Sequence, residues 1–160
     1  MPGPCFRGDL LQGQAPLARD TAWAMSRRDL GVVTEGFRAA TARPQPDFET
    51  MNRLFHPDHV FASLLRGLGM GELVGAAGYR EFLRESEATM MQWEVEMEGA
   101  VDLGEGRVLV VSMVRWRISA SETTSETRAW TVATVQDGKI IRTEAHPDPI
   151  EALKAAGLRE

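Results

Sequence analysis

At about Trp93 the hydrophobic period of this chain changes from that of helices to that of strands, and any admissible fold has to respect the change. Trp93, Val95 and Met97 alternate with Glu94, Glu96 and Glu98, the pattern of a strand with one face buried. Residues 107–118 continue it. Val108, Val110, Ser112, Val114, Trp116 and Ile118 share one face, and Leu109, Val111, Met113, Arg115 and Arg117 share the other. Both faces start apolar, which predicts a central strand covered on both sides. Gly104-Glu105-Gly106 turns the chain between these two segments. Residues 126–135 and 139–146 read as two more strands, joined by Asp137-Gly138, a strong signal for a tight hairpin.

The preceding half is helical. Ser26 can cap a first helix in which Leu30, Val33, Phe37 and Ala40 form an apolar stripe. Pro44 and Pro46 end it. Asp47 caps a short second helix, with Phe48, Met51, Leu54 and Phe55 facing a core and Pro57 as its stop. Val60–Ser63 reads as a short strand. Residues 66–75, with Gly67, Gly69, Gly71 and Gly75, read as a loop, flexible or acting as a lid. Tyr79, Phe82 and Leu83 give a third helix its buried stripe. At the end, Asp148 caps, Pro149 takes the first helical position and Gly157 closes a short helix.

Helices followed by long antiparallel strands predict an α+β domain, with a curved antiparallel or mixed sheet wrapped around three helices and a short C-terminal helix. Residues 1–25 show no sustained period and read as a disordered lead-in, leaving 26–160 as one domain. The net charge of −5 argues against a nucleic-acid partner. No apolar run is long enough for a membrane span. A single cysteine, Cys5, excludes an internal disulfide framework. The lead-in is broken by Pro2, Pro4 and Pro16 and does not read as a signal peptide, so a cytoplasmic location is expected.

Four segments carry a family resemblance. They are Phe55-His56-Pro57-Asp58, Gly75 through Tyr79-Arg80-Glu81-Phe82-Leu83, Asp137-Gly138-Lys139-Ile140, and Glu151 through Leu158. In this order and spacing they resemble the SnoaL-like, polyketide-cyclase-like branch of the nuclear-transport-factor-2-like superfamily. The resemblance implies a six-stranded curved sheet, a conical pocket and, often, a homodimer through the outer sheet face. It also implies a choice of functions, because relatives include cyclases, isomerases, dehydratases and epoxide hydrolases as well as proteins without known activity. Where many relatives have Glu then Tyr near the end of the last strand, this chain has Ala145-His146.

The candidate site depends on which side of the last strand enters the cone. With a two-residue loop, Val135 faces Ile140, and Arg142, Glu144 and His146 lie on the side of Ala129, Thr131 and Ala133; Glu144 and His146 are then candidate acid/base residues. With a three-residue loop bulged at Gly138, Thr131 and Ala133 sit with Ile141, Thr143 and Ala145 inside. The charged trio then points out, beside Arg128, Trp130 and Val132. The bulged form is favoured because it keeps three potential charges out of the core. It leaves Trp130, Val132 and Met113 as an outer apolar patch for a dimer.

The remaining candidates are His59, Tyr79, Trp93, Trp116, Thr131 and Thr143 as ligand-lining residues. Tyr79, the only tyrosine, is either a hydroxyl donor to a ligand oxygen or a core residue reaching a backbone carbonyl. His56, Asp58 and His59 read as a helix terminus with solvated histidines, or, for His59, as lining of the pocket mouth. No further histidine lies nearby to complete a ligand set, so no metal is expected, and no cofactor motif is present. The expected function is binding of a small apolar organic molecule without defined chemistry. The alternative is a cofactor-independent acid/base enzyme acting on a carbonyl or epoxide.

Overall fold

In this computed structural model residues 14–64, 71–88, 91–118 and 123–157 are described. Helix α1 (Gln14–Ala40) is followed by α2 (Phe48–Leu54), β1 (Phe55–Ala62), β2 (Leu73–Val74) and α3 (Gly75–Ala88). Then come β3 (Met91–Gly104), β4 (Arg107–Ile118), β5 (Ser125–Gln136), β6 (Lys139–His146) and α4 (Pro149–Ala155). The strands form one mixed sheet in the order β2-β1-β6-β5-β4-β3, parallel only between β1 and β6. The expected α+β architecture is present, with a six-stranded curled sheet, three helices before the long strands and a short helix at the end. Among the described residues no helix is long and apolar enough to cross a membrane.

The inner face of the sheet takes α1. Val33 packs with Val108, Val110, Ala133, Val135 and Ile140, all nearly inaccessible to solvent. Each large side chain among them contributes about 1.5–3 kcal/mol by leaving water. The approach is close enough to require a glycine. A Cβ on Gly36 would stand 2.7 Å from Ile140 Cδ1 and 3.1 Å from the Phe55 ring. The helix α4 lies on the opposite, outer face, where Ala152 and Ala156 cover Val132, Leu103, Leu109 and Trp130. This explains why β4 starts apolar on both sides.

Local signals place several boundaries. Asp47 accepts from Thr50 N at 3.1 Å and caps α2, and Asp148 accepts from Ile150 N at 2.8 Å and caps α4. Gly157 follows α4 with φ +83°, as a helix-ending glycine does. Other boundaries differ from expectation. Ser26 lies within α1 rather than at its N-cap. The second helix ends at Leu54, before Pro57, and β1 begins at once, well ahead of Val60. Pro57 is tolerated in that strand because the β1–β6 register shifts between Phe55 and Val60, so this stretch leaves the regular ladder. Leu73–Val74, expected in a loop, pairs with β1. Gly67 and Gly69 lie outside the described residues. The strand expected over 93–98 extends from Met91 to Gly104, with shifts near Gly99 and Gly104 that accommodate the glycines.

The β5–β6 hairpin corrects the loop expected from the sequence. Gln136 pairs with Lys139, and Asp137 and Gly138 have φ +54° and +79°, so the loop has two residues and Gly138 is not a bulge. The bulge sits further along. Val135 pairs with Ile140 but Thr134 with Arg142, leaving Ile141 as the extra residue. Ile140, not Ile141, therefore joins the core. Beyond the bulge the parity is the inverted one, with Ala133 opposite Thr143 and Thr131 opposite Ala145 on the inner side.

Candidate functional site

Between the inner sheet face and the helices is a cavity of about 560 Å³. Its lining extends from Val33, Ile140 and Phe55 to Trp93, Trp116 and Pro147. Most of it is apolar. The polar contributors include Thr41, Ser63, Ser112, Thr127, Thr131 and Thr143, together with His59 and Tyr79. No carboxylate, lysine or arginine lines it among the described residues.

His59 is the only lining imidazole. It is 6% exposed, so the solvated histidine expected here is corrected. Its Nε2 lies 3.2 Å from Thr143 Oγ1, and the Phe55 ring meets it edge-on with centroids 4.6 Å apart. Burial pushes its pKa down to about 4, because charging the ring there forfeits hydration. At neutral pH it is therefore an uncharged ring with one N–H and one bare nitrogen. His59 also borders a second cavity of about 340 Å³, beside α2 and the start of α3, and so stands between the two spaces. Its neighbours His56 and Asp58 are exposed, and Asp58 N donates to His56 Nδ1 at 3.0 Å. Among the described residues no cluster of three or more His, Cys, Asp or Glu is arranged to hold a metal ion.

Tyr79 lines the cavity with its ring, stacked on Phe82 with centroids 6.0 Å apart and edge-on to Phe61 at 5.7 Å. Its hydroxyl donates to Ala40 O at 2.6 Å. That single proton is thereby committed, and the donor role towards a ligand is set aside in favour of the backbone contact. Burial pushes its pKa up to about 12. Trp93 and Trp116 are direct cross-strand partners, and both line the cavity. The Arg43 guanidinium lies 3.6 Å over the Trp93 ring, and its Nε donates to Trp93 O at 3.0 Å. Thr131 and Thr143 line the floor on β5 and β6.

Glu144 and His146 do not join this set. They belong to the outer face, opposite Val132 and Trp130. Arg142 donates to Glu144 at 2.8 Å and to Glu72 at 2.7 Å, and His146 Nε2 lies 2.9 Å from Glu144 Oε1. Partial burial would raise the Glu144 pKa, but the hydrogen bonds from Arg142 and His146 outweigh it and hold the carboxyl below its ordinary value. The pair is real and faces away from the cavity. The outer patch is also smaller than expected, because α4 buries Val132. Ser112 was placed on the correct face by alternation, but a lone serine in an apolar strand carries no signal that its hydroxyl reaches a cavity.

A family model described as a SnoaL-like domain matches residues 33–143. The chain belongs to the SnoaL-like domain family. No curated protein matches it. Among solved structures, it is similar to TerC co-crystallised with polyporic acid, at 20% identity over 79% of this chain and 96% of that one, with a TM-score of 0.63. It is also similar to a Catenulispora acidiphila DSM 44928 protein with a ketosteroid isomerase-like fold in complex with trimethylamine, at 15% identity, 80% and 93% coverage and a TM-score of 0.58. A third is an M. tuberculosis epoxide hydrolase of the LEH-like type, at 18% identity, 80% and 84% coverage and a TM-score of 0.57. At these identities the likeness establishes the fold.

Proposed function

We propose that this SnoaL-like domain binds a small, predominantly apolar organic molecule in its cone, without cofactor or metal. The observation that carries the reading is the contrast between the cavity lining and the outer face. An apolar space of about 560 Å³ with a few hydroxyls and one neutral imidazole is the usual make-up of a small-molecule site. Solved neighbours that carry trimethylamine or polyporic acid support such a use of the fold. Saturable quenching of tryptophan fluorescence by a neutral polycyclic aromatic tests it, since Trp93 and Trp116 line the space. Ala145→Trp should abolish the quenching by filling the cavity, while Glu144→Gln and His146→Ala should leave the Kd within about twofold. Unaltered quenching in Ala145→Trp would place the site elsewhere.

A second reading, a cofactor-independent acid/base enzyme, has its own observation in the buried His59–Thr143 contact, and an epoxide hydrolase lies among the structural neighbours. It would use His59 in place of Glu144 and His146. A base with a pKa of about 4 is a poor proton acceptor at neutral pH, which ranks this reading second. Turnover of an epoxide or enolisable ketone that vanishes in His59→Gln would reverse the order. The same proposal includes a cytoplasmic location and a homodimer through the outer face, where Val101 is 52% exposed and Trp130 is partly buried. Sedimentation of Trp130→Glu as a monomer, against a wild-type dimer, tests the interface.

A further inference from the structure

Two side chains in the cone have polar atoms that the protein leaves unused. Ser112 is 1% exposed and Thr131 is 6% exposed, and neither hydroxyl has a hydrogen-bond partner among the described residues. A buried hydroxyl without a partner is destabilising, and the fold retains two of them side by side. Their placement is ordered. Thr143 lies opposite Ala133, Thr131 lies opposite Ala145 and Val110, and Ser112 lies opposite Ala129. Thr143, Thr131 and Ser112 therefore step diagonally across β6, β5 and β4 on one face, each to the next at roughly the 7–8 Å of diagonal neighbours. Ala129, Ala133 and Ala145 flank them, and the largest direct neighbour on those strands is Val110, opposite Thr131. His59 stands at the β6 end of the track, against Thr143. At the β4 end the same face continues through Val114 to Trp116, opposite Trp93.

We infer that the ligand of the cone is uncharged and carries at least two oxygen functions, which lie along Ser112, Thr131 and Thr143 while its apolar body rests against Trp93 and Trp116. The inference rests on the binding reading above and narrows it to a class, neutral oxygenated ring compounds such as phenols, quinones and hydroxyketones. Hydroxyls serve both kinds of oxygen because each can donate or accept. The described lining offers nothing to hold a charge. Among the described residues no Lys, Arg, Asp or Glu lines the space to compensate an ion, and the two titratable lining groups there, His59 and Tyr79, are both held neutral by burial. A carboxylate or ammonium ligand would lose its hydration and gain only neutral dipoles.

The test compares three molecules built on one ring system by isothermal titration at neutral pH: naphthalene, 2,6-dihydroxynaphthalene and 2,6-naphthalenedicarboxylate. In the diol the two oxygens sit at opposite ends, a spacing comparable to the diagonal step. The diol should bind about tenfold more tightly than naphthalene, and the dicarboxylate at least about tenfold more weakly than the diol. Ser112→Ala and Thr131→Val should each weaken the diol by about three- to tenfold and leave naphthalene within about twofold. Unfolding midpoints check that each variant folds, and either variant alone can carry the comparison. Equal binding of naphthalene and diol would overturn the inference and leave the cone as an apolar site. So would a dicarboxylate that binds as well as the diol, or a diol affinity indifferent to both substitutions. If none of the three binds, the reading of the cone as a binding site falls, and the inference with it.

Discussion

The two faces of the β5–β6 hairpin are built from the same strands and have opposite chemistry. Inside are Thr131, Ala133, Thr143 and Ala145, small and uncharged, three of them buried. Outside are Arg128, Trp130, Arg142, Glu144 and His146, with Arg128 paired to Glu98 and Arg142 to Glu72 and Glu144. In a strand a shift of one residue exchanges the faces entirely. Here that shift is a single extra residue, Ile141, three positions past Gly138. The difference teaches that the chemistry of this cone depends less on which residues the strand contains than on where its ladder is interrupted.

Placing a charge on the inner face is the most severe way to break the contrast. Ala133 is 1% exposed and packs with Val33 and Val110, so Ala133→Glu would bury a carboxylate there without a partner. That should cost more than about 4 kcal/mol, enough to remove cooperative unfolding in urea. Deleting Ile141, by contrast, joins Ile140 directly to Arg142, keeps the Thr134–Arg142 pairing and leaves Arg142, Glu144 and His146 outside. An Ala133→Glu protein that unfolds with the wild-type midpoint would show that the inner face accommodates charge.

A smaller effect comes from the imidazole that does lie inside. His59 titrates near 4 in the folded chain against an ordinary 6.5, so below pH 6.5 the unfolded chain takes up a proton that the native ring refuses. Stability contributed by the neutral buried ring is whole above pH 6.5 and declines as pH falls towards 4. Below that it levels off, after a loss of about 3 kcal/mol. Urea midpoints recorded between pH 7 and pH 4 should show this slope, and His59→Gln should flatten it. Parallel slopes in both proteins would mean that the ring is hydrated in solution.

How far these features could be read from residues follows the range of the forces that set them. The alternation at Trp93, Val95 and Met97, the Asp47 and Asp148 caps and the Asp137-Gly138 turn are short-range signals, and each appears where the pattern put it. Strand β1 was read only from Val60 onward; its first half was missed because its pairing partner, β6, lies some eighty residues away, while His56-Pro57-Asp58 locally resembles a helix exit. The same long-range pairing buries His59 beside Thr143, which no spacing in the sequence announces. The inverted parity of Thr143 and Ala145 followed correctly from the cost of burying Arg142, Glu144 and His146, although the bulge responsible was assigned to Gly138 instead of Ile141. Energetic bookkeeping thus located the faces, and local turn rules misplaced the residue that produces them.

The gentlest probe of the contrast is Glu144→Gln, on the outer face. The amide keeps the shape of the carboxylate and can still accept from Arg142, so what is lost is charge pairing with Arg142. The Arg142 side chain is 37% exposed, and solvent and salt screen the pair, so the expected change in stability is below about 1 kcal/mol and shrinks further in high salt. Its pH dependence separates it from the inner site. Because the Glu144 carboxyl is held below its ordinary 4.5, its contribution is present at neutral pH and is lost only as pH falls through the carboxylate range. The slope between pH 6.5 and 4.5 should therefore survive in Glu144→Gln and disappear in His59→Gln. A Glu144→Gln protein that lost that slope, or that lost affinity for a neutral aromatic, would mean that the outer network and the cone act as one unit, and the separation of the two faces would have to be given up.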